Sequence, residues 1–301
     1  MSRAPAPLVV FGSINQDIVL AVEEFPLPGQ TVAAAASNRH IGGKGANQAV
    51  AAALAGAETL MIGAVGQDGG GAQALRTLAE SGVNVERVAE VHSSATGTAH
   101  ICVRPDGENT IVVDLGANHL LRSTPVNGEP LERAAWCLLS LEVPEEEALG
   151  YARMAKRRGV RTAVNISPRI SAAITPEAVD VVIANESEIR AAVGADWESR
   201  GNLAGKLGIE AVIVTQGSRG ARVDLLDGTS SQVESPQVRL RDTTGCGDAF
   251  AGVLMSRLCR GTGYVEAARD AAFHAGFVAQ HDGASVSYRE AFAQVAAASA
   301  G

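Results

Sequence analysis

Apolar runs that alternate with helical patterns from Thr59 onward predict an α/β protein with a mostly parallel sheet covered by helices. Two further observations shape that expectation. Hydrophobic residues make up 46% of the 301-residue chain but aromatics only 4%, so a large core has to be packed from Ala, Val and Leu. Two pairs of extended segments near the N-terminus lack helices between them and fit poorly into a βαβ sheet, which predicts a small β unit inserted into the main domain. No internal repeat or low-complexity linker interrupts the chain, and α/β domains often run this long, so residues 1–301 read as one domain.

Taken in order, residues 1–7 read as a loose tail and Leu8–Phe11 as a short buried strand. Ile18–Val22 and Thr31–Ala36 form the first extended pair, joined through Phe25-Pro26-Leu27-Pro28-Gly29. Ala46–Ala55 is an Ala-rich helix, Leu60–Val65 a strand, and Gly71–Glu80 a helix ending near Gly82. Thr98–Arg104 and Thr110–Asp114 form the second extended pair, turned by Pro105-Asp106-Gly107. The inserted β unit therefore occupies about 16–40 and 96–116.

Cys137–Leu141 is the next strand, followed by a helix with Pro144 near its first turn, Glu145–Glu147 behind it, and Lys156–Arg158 with Gly159 at its end. Val160–Asn165, Val179–Ala184 and Ala211–Thr215 are strands; the last runs into the polar, glycine-bounded loop Gln216–Gly220. Helices are expected over Val265–Gln280 and Ala291–Ala298, with Gly283-Ala284-Ser285 as a loop between them.

The chain is organised around Asp242-Thr243-Thr244-Gly245-Cys246-Gly247-Asp248-Ala249-Phe250. Phe250, Leu254 and Leu258 follow at helical spacing and Gly261 supplies a C-terminal cap, so Asp248 lies in a first helical turn beside unpaired N–H groups. A carboxylate there can simply complement the helix dipole. The two glycines beside it favour a second role, letting backbone N–H groups approach an anion closely.

A second glycine-rich stretch, Gly42-Gly43-Lys44-Gly45-Ala46-Asn47-Gln48, opens the Ala-rich helix. It lacks the spacing of a Walker A loop, and no G-x-G-x-x-G dinucleotide fingerprint is present. Asn15 and Asp17, flanked by Ile14 and Ile18, would share one face of an extended chain, or belong to a polar loop with an Asx turn. Net charge is −8 with no basic run, which argues against nucleic acid and anionic membranes as partners. The four cysteines and six histidines show no metal-ligand spacing, and no apolar run reaches the length of a signal peptide or membrane span. These features predict a cytoplasmic chain.

Asp242–Phe250 and Gly42–Ala49, in this order and some 200 residues apart, resemble the two signatures of the ribokinase (PfkB-type) carbohydrate kinases, and intermediate matches extend the resemblance over nearly the whole chain. It implies a three-layer α/β/α sandwich with an inserted β lid that closes over a sugar and pairs two subunits as a homodimer. The activity implied is ATP-dependent phosphorylation of D-ribose at its 5-hydroxyl. Deoxyribose, another pentose or a nucleoside such as adenosine are alternative acceptors, and a sugar-binding regulator without catalysis is a rival from another class. A nucleoside would need an aromatic or apolar slot that the inserted segments do not offer.

By the same resemblance Asp248 is the catalytic base, and the N–H groups of Gly245, Cys246 and Gly247 form an anion hole. Asn15, Asp17, Gly42, Gly43, Lys44, Asn47 and Glu142 contact the sugar. Asn185, Thr215, Gly217, Ser218 and Gly220 contact ATP. Glu188, in the N-x-x-E run from Asn185, organises Mg²⁺ from behind its own ligands. Asp242, Thr244, Gly283 and Ser287 hold a monovalent cation such as K⁺. Cys246 stands where Ala is usual, Ser140 where Gln is common and Ala272 where an adenine-side Asn is frequent; His281 and Val278 depart from the pattern of the cation loop.

Overall fold

The computed structural model describes residues 7–124, 131–168, 170 and 174–298, so the first six residues of the tail expected at 1–7 lie outside the described residues. Its thirteen strands divide between two sheets. The main sheet contains β1 (Leu8–Phe11), and the chain then leaves it for β2 (Asn15–Ala21) and β3 (Ala36–Gly42) of the small sheet. Helix α1 (Lys44–Leu54) returns it to β4 (Thr59–Gly66), α2 (Gly69–Glu80) and β5 (Val83–Val91). Strands β6 (Gly97–Val103) and β7 (Asn109–Asp114) complete the small sheet, in the order β3-β2-β6-β7.

From β8 (Trp136–Ser140) the chain alternates through α3 (Glu145–Arg157), β9 (Arg161–Asn165), β10 (Val181–Asn185), α4 (Glu186–Val193), α5 (Leu203–Leu207) and β11 (Ala211–Thr215). The hairpin β12 (Ala221–Leu225) and β13 (Ser230–Val233) closes the sheet edge, and α6 (Cys246–Cys259), α7 (Tyr264–Val278) and α8 (Ser285–Ala298) follow. The main sheet runs β13-β12-β11-β10-β9-β8-β1-β4-β5, parallel from β11 to β5. Within this sheet, among the described residues, antiparallel pairing occurs only where β12 meets its two neighbours.

Strands β1 and β8 are buried along their whole length because helices cover both faces of the sheet, as their unbroken apolar sequences require. One core packs β1, β4 and β8 against α1, α6, α7 and α8; the other packs the opposite side chains of the sheet against α3, α4 and α5. This is the three-layer α/β/α arrangement. Strand order reverses direction between β1 and β8, and the crevice at the carboxyl ends of these strands is where open α/β sheets collect ligands.

Several elements differ from expectation. The second extended segment is β3 at Ala36–Gly42, not Thr31–Ala36, because Ala36 is the first residue to pair with β2, opposite Ala21. The polar run Ser37-Asn38-Arg39-His40 hid this strand: it is exposed or half-buried and carries no apolar alternation. The loop expected at Gly283–Ser285 is shorter, and α8 begins at Ser285, six residues before the expected Ala291. Strands β5, β12 and β13 had no clear signal; β12 contains Arg222 and Asp224, whose side chains pair with each other at 2.9 Å.

Candidate functional site

The carboxyl end of β1 enters the crevice through Ser13, Ile14 and Asn15, and the end of β8 brings Glu142 opposite them. Ser13 Oγ donates to Glu142 Oε2 at 2.7 Å, and the Lys44 N–H donates to the same oxygen at 2.9 Å. Glu142 thus joins the end of β8 to the start of α1. The glycines here make room for protein: Gly43 (φ +85°) could not carry a Cβ, which would lie 2.8 Å from the Asn15 nitrogen. A Cβ on Gly45 would meet the Gly12–Ser13 peptide at 2.7 Å, and one on Gly42 would overlap the Asp17 carboxyl. Gly42, Gly43 and Gly45 are therefore required by close packing against residues 12–17, and around them stand the side chains of Asp17, Lys44, Glu142 and Asp248.

Those side chains are mostly acids. Burial, reinforced by Glu142 and Asp248, pushes the Asp17 carboxyl up to about 7. Burial pulls the Lys44 ammonium down, but Asp248, Glu142 and Glu188 outweigh it and hold its pKa above the ordinary value. Asn15 is fixed by Asn118, whose Nδ2 donates to Asn15 Oδ1 at 2.8 Å while its Oδ1 accepts from the Ile14 N–H at 2.8 Å. Asn118 is fully buried and had no distinguishing signal in the sequence.

Asp248 is 6% exposed in the first turn of α6. Its Oδ2 accepts from Asn47 Nδ2 at 3.1 Å and its Oδ1 from Gln48 Nε2 at 2.9 Å. The preceding turn depends on Gly245 in the left-handed region (φ +78°), with its carbonyl accepting from Tyr288 Oη at 2.7 Å. Of the three amides expected to form an anion hole, that of Cys246 donates to the Thr243 carbonyl at 3.2 Å, because this turn folds back on itself. Gly247 lines the cleft, with nothing within 4 Å of where a Cβ would stand. Burial, with Asp242 and Asp248, pushes the Cys246 thiol up to about 12, so it is protonated at neutral pH.

Gly247 and Cys246 also close one end of a cleft of about 540 Å³. Asn185, Thr215, Gly217, Ser218 and Gly220 line it together, as do Ala272, Ala275 and Gly276 of α7 and the segment 235–238. Asn185 and Glu188 form a reciprocal capping box: the Glu188 N–H donates to Asn185 Oδ1 and the Asn185 N–H to Glu188 Oε2, each at 2.9 Å. The N-x-x-E spacing thus starts α4, and one Glu188 oxygen is occupied in doing so.

Behind the glycine turn, Asp242 Oδ1 accepts from the Thr244 N–H and hydroxyl at 2.8 and 2.7 Å, and Oδ2 from the Gly283 N–H at 2.8 Å. Ser287 Oγ is 3.0 Å from the Gly283 carbonyl. These four residues therefore form one connected group, and their oxygens keep lone pairs for a weakly hydrated cation. Among the described residues no group of three or more His, Cys, Asp or Glu is arranged to hold a metal.

Buried acids at a strand switch point, a glycine turn opening a helix, and an adjoining cleft define a phosphotransferase-like crevice. The chain belongs to the pfkB family of carbohydrate kinases, whose family model matches residues 6–291. It is 35% identical to the ribokinase of Haemophilus influenzae over 271 residues, 87% of this chain and 88% of that one. It is 30% identical to the deoxyribokinase of Salmonella typhimurium over 294 residues, 93% of this chain and 95% of that one. Among solved structures, Arabidopsis thaliana ribokinase complexed with ribose and ATP superposes with a TM-score of 0.84 at 29% identity, covering 94% of this chain and 95% of the other. The protein is an ATP-dependent sugar kinase.

Proposed function

We propose that the chain is a ribokinase, transferring the γ-phosphoryl group of ATP to the 5-hydroxyl of D-ribose. The observation that carries this reading is the position of Asp248 between two sites. Cys246 and Gly247 line the cleft, while Asp248 itself is buried and interacts with Asp17 of β2, which in turn interacts with Glu142 just beyond β8. An acceptor hydroxyl bound by Asp17 and Glu142 would then meet the γ-phosphorus in front of Asp248. The hydroxyl oxygen bonds to phosphorus, its proton passes to Asp248, and the bond to the ADP oxygen breaks. The open amide of Gly247 stabilises charge on the transferring group, and Lys44 adds a positive edge.

Asn185, Thr215, Gly217, Ser218 and Gly220 bind ATP in this reading. When bound, Mg²⁺ neutralises phosphate charge, with Glu188 behind its water shell. Asp242, Thr244, Gly283 and Ser287 would hold K⁺, which would supply positive charge beside the Gly245 turn. The small sheet is the lid over the sugar, inserted in an otherwise single domain. The exposed apolar residues of its edge strand β7 (Ile111, Val112 and Val113) fit a homodimer contact. All four cysteines are free, in keeping with a cytoplasmic enzyme.

Deoxyribose is the second reading, favoured by the similarity to a deoxyribokinase over nearly the whole chain. Release of ADP measured with ribose, deoxyribose, fructose and adenosine, in K⁺ and in Na⁺ at constant ionic strength, separates the candidates. The highest kcat/KM is expected with ribose in K⁺. Preference for deoxyribose or adenosine would overturn the ribose assignment, and equal rates in K⁺ and Na⁺ would remove the cation.

A further inference from the structure

We propose that Gln48 is a positioning residue for the carboxylate of Asp248, working with its neighbour Asn47 as an amide clamp delivered by helix α1. The proposal rests on Asp248 being the base. Helices α1 and α6 cross in backbone contact at Gly252, where a Cβ would lie 2.5 Å from the Gln48 carbonyl and 2.8 Å from the Ala52 nitrogen. Gly252 is one turn beyond Asp248 on the same face of α6. This close crossing brings the first turn of α6 within reach of two consecutive α1 side chains, and the carboxylate receives one N–H donor on each oxygen. Its plane is thereby fixed, while each oxygen keeps a lone pair to accept a proton.

The chemistry of Gln48 is hard to account for by packing alone. Gln48 is fully buried on a helix whose other buried residues, Asn47 apart, are Gly, Ala and Val. A carboxylate accepts hydrogen bonds, so the amide has to point Nε2 at Asp248, and that orientation leaves Gln48 Oε1 buried without a donor among the described residues. An unpaired buried carbonyl is unfavourable, and an apolar residue of similar size would avoid it. What the glutamine supplies that an apolar residue cannot is the N–H on Asp248 Oδ1. Asn47 shows the same pattern, with Nδ2 on the carboxylate and Oδ1 unpartnered.

Two substitutions and one control test this by steady-state kinetics, thermal melting and pH profiles of the purified protein with ribose and ATP. Gln48→Met removes the donor at similar volume. It should lower kcat roughly ten- to hundredfold through misplacement of the base, with both KM values within about twofold and Tm unchanged or raised. Gln48→Glu places a second carboxyl against Asp248, so the pair shares a proton. The acid limb of its kcat/KM profile should move up by about one pH unit or more. Asp17, Lys44, Cys246 and Tyr288, the other titratable groups that interact with Asp248, are unchanged in both variants. Wild-type kcat in Gln48→Met, or an unmoved acid limb in Gln48→Glu, overturns the proposal. Asp248→Asn in the same assay keeps the two questions apart: an active Asp248→Asn removes the base itself, whereas an inactive one beside unaffected Gln48 variants removes only the clamp.

Discussion

The two ends of the crevice are built from different materials. The acceptor end is made of charged and amide side chains in buried surroundings, each tied to a named partner: Glu142 to Ser13 and the Lys44 N–H, Asp248 to Asn47 and Gln48, Asn15 to Asn118. The end proposed to take the nucleotide has many glycines and small side chains, with Gly217, Gly220 and Gly247 at one part of the cleft and Ala272, Ala275 and Gly276 on α7. A site of buried hydrogen-bonding groups rejects a ligand that leaves them unpaired, whereas a slot of small apolar groups discriminates by shape and far more weakly. The protein should therefore be strict about its sugar and permissive about its nucleotide.

The largest effect is expected at the residue both ends share. Asp248→Asn keeps the shape but cannot accept the hydroxyl proton, and kcat should fall by about 10² or more while the fold survives. Single-turnover assays and melting curves check this together; retention of more than about a tenth of wild-type turnover would exclude Asp248 as the base.

Asp17 tests the strictness of the acceptor end. Asp17→Asn should raise the KM for ribose about tenfold to a hundredfold, the worth of a hydrogen bond to a charged group, with a much smaller change for ATP. An equal loss for both ligands would blur the distinction between the two ends. The same residue leaves a signature in stability. Its carboxyl is held at about 7 in the folded protein against 3.8 ordinarily, so the folded state binds that proton more tightly. The group therefore favours folding fully below pH 3.8, and the advantage drains away as pH rises through about 7. Between pH 5.5 and 8 (about one and a half units below and one above that value), the ligand-free wild type should lose Tm, and Asp17→Asn should lose less. Parallel curves would place the titration elsewhere.

The same contrast governs how much could be read from the sequence. The apolar runs of β1, β8 and β11 and the cap residues around α3 fixed the main sheet, because burial on both faces leaves a continuous hydrophobic signature. The glycine turn before Asp248 was legible because a left-handed residue and a first-turn acid are both local features. Partners supplied from distant segments were not: Asn118 lies more than a hundred residues from Asn15, and Tyr288 43 residues from Gly245. Gln48 stood in plain view beside Asn47, yet its role depends on the crossing at Gly252, which no spacing rule announces. Strand β3 was misplaced because, on a small sheet open to solvent, polar residues pair as well as apolar ones.

The smallest expected effect lies at the far end of the nucleotide cleft. Ala272, Ala275 and Gly276 present no hydrogen-bonding side chain, and the facing segment contributes Ser235, Pro236, Gln237 and Val238. Helix α7 lies hard against that segment, since a Cβ on Gly276 would stand 2.4 Å from Pro236 Cγ. A planar base held between these two walls is recognised by its thickness, and adenine and guanine share that thickness while differing in their polar edges. With no side-chain group along α7 to read those edges, kcat/KM for ATP and GTP should agree within about tenfold, the range open to apolar contacts. Ala272→Asn would add an amide at a position that is 4% exposed and borders the cleft. It should shift the ATP-to-GTP ratio several-fold, the worth of one hydrogen bond, mainly through the nucleotide KM, and leave the KM for ribose unchanged. A wild-type preference for ATP above about a hundredfold would mean that Ser235, Gln237 or backbone groups across from α7 read the base, and the contrast between the two ends would then fail.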